Sequence, residues 1–142
     1  MTLLRSPEQA KLAELYAVGG GLLMRYRDPT DNAGEHLQAV LADTIAQRVP
    51  LLERVREAEQ ARGDIPPAAD HEINQIRIVT DRVLASLLGE HALATRLVRG
   101  EEAWLTLIEE ARGMDWADDE RTLLEDLAAG TREAIQRLRA AA

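Results

Sequence analysis

The chain has 142 residues, no cysteine and a formal net charge of −8, with 17 Lys and Arg set against 25 Asp and Glu. A chain of this length suits one domain, burying roughly 68–70% of its unfolded surface with no need of a covalent or metal staple. The missing thiols exclude disulfides, thiolate metal sites and a cysteine nucleophile. The acidic balance argues against a phosphate-tracking nucleic-acid surface and against adsorption to anionic lipid.

The chain begins MTLLRSPE, without the apolar run of a signal peptide. No later stretch approaches the ~18 apolar residues of a membrane span, so a soluble, cytoplasmic protein is expected. Abundant Ala, Leu, Arg and Glu and the absence of Phe point to an all-α protein. The first predicted helix opens at Ser6-Pro7-Glu8-Gln9, where Ser6 and Gln9 match a capping box and Pro7 suits the first helical position. Leu12, Leu15, Gly19, Leu22 and Tyr26 then recur at helical spacing. They keep register through Gly19, Gly20 and Gly21, which argues for one helix although each glycine weakens it by roughly 1 kcal/mol relative to alanine. Asp28-Pro29 ends it. A second helix is predicted from Glu35, with Leu37, Leu41, Thr44, Arg48, Leu51, Leu52 and Val55 on one side and a kink near Ala46 and Gln47 imposed by Pro50.

GDIPPAAD, residues 63–70, reads as a linker between a hairpin at 6–62 and a second at 71–140. Asp70 is the expected cap of a third segment carrying Ile73, Ile76, Val83, Leu84 and Leu87, interrupted at Gly89. It resumes from Glu90 through Leu93, Leu97, Trp104, Leu107 and Ile108 to Arg112. Asp115 is the expected cap of the last helix, whose stripe is Leu124, Leu127, Thr131, Ile135 and Leu138. An offset of about 83 residues lays the second helix on the last, pairing Leu41 with Leu124 and Leu52 with Ile135, either as a hairpin duplication or as the ordinary likeness of two amphipathic helices. Helices joined by loops, each with one apolar stripe, are expected to form an antiparallel, up-down-up-down four-helix bundle comprising the whole chain.

Two charged residues fall among apolar ones. Glu101 has Leu97, Val98, Leu105 and Ile108 at helical spacing. Either it points inward, where it needs a cation or a raised pKa, or it lies at the stripe edge and reaches water. Arg48 lies a turn from Thr44, Leu51 and Leu52. It is either an internal cation facing a carboxylate such as Glu101 or a snorkelling side chain at the bundle edge. His36 and His91 sit in Gly-Glu-His triplets near helix starts and His71 follows the linker, placements that suit solvated histidines. A dinuclear iron bundle needs Glu-x-x-His on facing helices, and that spacing does not occur in the sequence. Neither a phosphate-binding loop nor a nucleophile elbow is present.

The stretch LVRGEEAWLTLIEEARGMDWADDERTLLEDLAAGTREAIQRLRA, residues 97–140, resembles the second hairpin of a ferritin-like group of bacterial four-helix proteins. That group is largely uncharacterised and includes stress-associated members. Gly100-Glu101 and Arg121-Leu123-Leu124 carry the likeness, and LYAVGGGLLMRYRD resembles the group's first helix. The resemblance implies a ferritin-like bundle with a degenerate metal site, since an acidic residue is common in that first helix where this chain has Gly19-Gly20-Gly21. Only Glu101 then carries over as a metal-ligand candidate. The expectation is a non-catalytic protein with no cofactor, acting as a homo-oligomer, a dimer, or on another protein partner. The alternatives are an iron-binding ferritin-like protein using Glu101 and a small-ligand-binding bundle using space left by the glycines.

Overall fold

The computed structural model describes residues 6–27, 34–63 and 90–141. These form four α-helices, with no strand among the described residues: α1 (Pro7–Arg27), α2 (Glu35–Ala61), α3 (Glu90–Arg112) and α4 (Asp118–Ala141). The expected linker beyond Gly63, the Asp70 cap, the stripe from Ile73 to Leu87 and the Gly89 break lie outside the described residues.

Local chemistry fixes the helix ends. Ser6 Oγ accepts from the Gln9 amide at 3.1 Å, while Gln9 Oε1 accepts from the Ser6 amide at 2.8 Å, a reciprocal capping box. The last helix begins at Asp118, later than the Asp115 cap predicted from sequence. The reason is Glu120, whose carboxylate takes the Ala117 N–H at 3.0 Å and so makes Ala117 the capping position. Pro50 lies within an uninterrupted α2, on its exposed side. The Ala46 carbonyl that loses its partner there belongs to an exposed residue, so water can serve it.

The helices form a ring in which α1 packs on α2, α2 on α4, α4 on α3 and α3 on α1. Leu12, Leu15, Leu22 and Tyr26 meet Leu37, Leu41, Leu52 and Val55, Leu97, Trp104 and Ile108, and Leu124, Leu127 and Leu138 in one core. Named contacts give the directions. Gln9 near the start of α1 donates to the Arg62 carbonyl just past the end of α2. Lys11 reaches Glu110 near the end of α3. Arg62 holds Glu120 at the start of α4, and Arg54 holds Asp126 further along it. Arg139 near the end of α4 meets Glu102 of α3. Each neighbouring pair therefore runs in opposite directions, which leaves α2 and α3 pointing the same way. The expected up-down-up-down order does not hold: the order is up-down-down-up, and Gly63 and Glu90 lie at opposite ends of the bundle.

Candidate functional site

The two out-of-place charges meet at the bundle centre. Arg48 extends from α2 across the core to Glu101 of α3, a helix on the opposite corner of the ring. Its Nη1 and Nη2 donate to the two carboxylate oxygens at 2.8 and 2.5 Å. Arg48 is 3% exposed and Glu101 0%, so the pair is shut off from solvent rather than snorkelling from an edge. This bidentate fork is the geometry that guanidinium and carboxylate share.

Aromatic rings complete the enclosure. The Arg48 guanidinium carbon stands 4.5 Å from the Trp104 ring centroid and 5.9 Å from that of Tyr26. Burial alone would lower the Arg48 pKa, but the charge and hydrogen bonds of Glu101 outweigh it and raise the value. Tyr26 is pushed well above the usual tyrosine range, first by burial and then by the Glu101 charge. Its buried hydroxyl makes no hydrogen bond of normal geometry.

The glycine run explains how Trp104 fits. Gly19, Gly20 and Gly21 all lie inside α1, and Gly19 and Gly21 are buried. A Cβ on Gly19 would sit 2.6 Å from Trp104 Cζ2 and 2.8 Å from Leu52 Cδ2. The bare backbone therefore admits the indole, whose Nε1–H donates to the Leu15 carbonyl at 3.1 Å. One tryptophan thus joins the glycine stretch of α1 to the ion pair. Of the three, Gly19 is the one that faces the Trp104 ring at this distance.

Sequence reasoning singled out Arg48 and Glu101 but placed Trp104 only on the apolar stripe of its helix, where it does lie in the core. It also missed Glu59 and Arg25, both buried. Glu59 follows Val55 by one turn on the same stripe, and Arg25 follows Leu22 by three residues, so helical spacing held the signal for both. His36 is exposed, and the positions of His71 and the His91 side chain fall outside the described residues.

Two grooves lie away from the pair. One, of about 500 Å³ between α1 and α3, is lined by Val18, Leu22, Arg25, Arg96, Arg99, Gly100, Ala103 and Leu107. The other, of about 360 Å³ between α2 and α4, includes Gln47, Pro50, Leu51, Gly130 and Glu133. Among the described residues no three His, Asp or Glu side chains converge as metal ligands would, and no helix is long and apolar enough to cross a membrane. Comparison of the chain with protein-family models, with curated proteins and with solved structures finds no match in any of the three.

Proposed function

We propose that this chain is a ferritin-like bundle in which an ion pair has taken the place of a metal site, and that it acts as a non-catalytic scaffold through protein contacts. The carrying observation is that both Glu101 oxygens are already bonded by the Arg48 guanidinium. A cation held there repels a second cation and satisfies the carboxylate that would otherwise be a ligand. The separation of Gly63 and Glu90 to opposite ends supports the ferritin-like reading, because such folds join their two hairpins by one long connection.

Self-association is part of the same proposal. Val49 is an exposed large apolar residue at 39%, and it adjoins Pro50 and Leu51 beside the α2–α4 groove. A second copy covering that strip would bury it. Elemental analysis of protein purified without chelator tests the closed centre: substoichiometric iron, zinc and manganese are expected. About one metal ion per chain, lost in Glu101→Gln, would replace this reading by the iron-binding one. Sedimentation tests the association, with a dimer expected and a monomer at all concentrations counting against it.

A further inference from the structure

We propose that the seam between α1 and α3, walled by Val18, Leu22, Ala103 and Leu107 and edged by Arg25, Arg96 and Arg99, binds an anionic amphiphile with a carboxylate head and an apolar body. Of the four neighbouring pairs among the described helices, α1 and α3 approach each other least extensively. Its volume, about 500 Å³, falls within the ~300–1,000 Å³ of small-ligand clefts.

The charge distribution selects the ligand. The chain as a whole carries −8, yet the described lining of this groove holds three arginines and no acid. By position along the helices, the arginines occupy the end nearest the start of α3, and Val18 and Leu107 occupy the other. A head bearing negative charge and an apolar tail match that order along the groove.

The floor is shaped for it. A Cβ on Gly100 would lie 2.7 Å from Leu22 Cδ2 and 3.0 Å from Arg25 Nη1. Glycine at this position lets Arg25 lie against α3 with 9% of its surface exposed, so its guanidinium is held in place before any ligand arrives. Arg25 and Arg96 also engage other groups of the protein. Each guanidinium has five N–H donors, so it can hold a carboxylate while keeping another partner. Arg99 is exposed at the rim.

Calorimetric titration of the full chain with decanoate, kept below its micelle-forming concentration, tests this. Saturable binding is expected. Decanol, with the same body and no charge, should bind roughly tenfold more weakly, as should decanoate to Arg96→Gln/Arg99→Gln. Octanoate should bind more weakly than decanoate, by up to about fourfold per methylene lost. Should the double variant fail to fold by circular dichroism, the exposed single substitution Arg99→Gln serves in its place and should weaken decanoate binding in the same direction. Absence of saturable decanoate binding, equal affinity for decanol, or affinity unmoved by the arginine substitutions would overturn the proposal. Metal content and sedimentation do not enter these outcomes, so this site and the scaffold reading stand or fall separately.

Discussion

Arg48 and Glu101 are each tolerable in the core only because of the other. Removing one partner of a buried pair strands a charge and costs about 3–5 kcal/mol, whereas replacing both by apolar groups of similar volume is often neutral or stabilising. We therefore expect Glu101→Gln and Arg48→Met each to lower stability strongly in urea titrations, and Arg48→Met/Glu101→Leu to recover most of that loss. Additive effects in this cycle would mean the two side chains act independently. Both residues were legible in the sequence as charges on apolar stripes, and their pairing was one of two open readings that the sequence could not decide between. Helical spacing reports which face a residue occupies on its own helix, and says nothing of which residue comes to meet it from the opposite corner of a bundle.

Two glycines inside helices illustrate how packing reverses a propensity. Alanine at either position should gain up to ~1 kcal/mol of helix propensity. At Gly130 the added Cβ would meet Gln47 and Leu51 at an ordinary 3.5 Å, so Gly130→Ala should raise the melting temperature. At Gly19 it would meet the rigid Trp104 ring at 2.6 Å. Overpacking of that kind typically costs 1–3 kcal/mol, so Gly19→Ala should lower the melting temperature, and a rise would place the indole elsewhere. The glycine run was conspicuous in the sequence because it contradicts helix propensity, yet Trp104 could not be assigned to it from so far along the chain. The first helix was the most readable element, since Ser6 and Gln9 form their cap within four residues. The start of the last helix was misplaced because Asp115 and Ala117 both precede the acidic run, and only the Glu120 bond to Ala117 decides between them.

At the scale of the whole molecule, one end is tied by side chains from three helices and their loops. Arg62 donates twice to Glu120 at 2.6 Å, its carbonyl accepts from Gln9, and its guanidinium lies 5.2 Å from the Trp116 ring centroid. Trp116 in turn donates to the Ala111 carbonyl at the end of α3. The Arg62 hydrogen bond is the main cause holding the Glu120 carboxyl below its usual value, with the Ala117 amide adding to it against the opposing effect of burial. A carboxyl depressed in the folded state contributes stability that is complete above its unfolded value of ~4.3 and is lost as pH falls through the lower folded value. Stability should thus decline on acidification from about pH 5, and Glu120→Gln should flatten that decline. An unchanged acid profile in the variant would assign the loss to other carboxylates. The all-α class could be read from apolar periodicity. The direction of the second hairpin could not, because stripes fix faces and leave open which end of a helix the chain enters.

The same long connection has a kinetic consequence. Each hairpin is built from contacts close in sequence and can form early, whereas Arg48 and Glu101 belong to different hairpins and are joined only when these dock. Docking removes the water around both charges, since both are buried in the folded bundle. A docking slipped by one helical turn, about 5.4 Å, would bury two unmatched charges, each at a cost of several kcal/mol. The ion pair thereby adds an electrostatic penalty to a slipped alignment of the two hairpins, on top of the packing such a slip would lose.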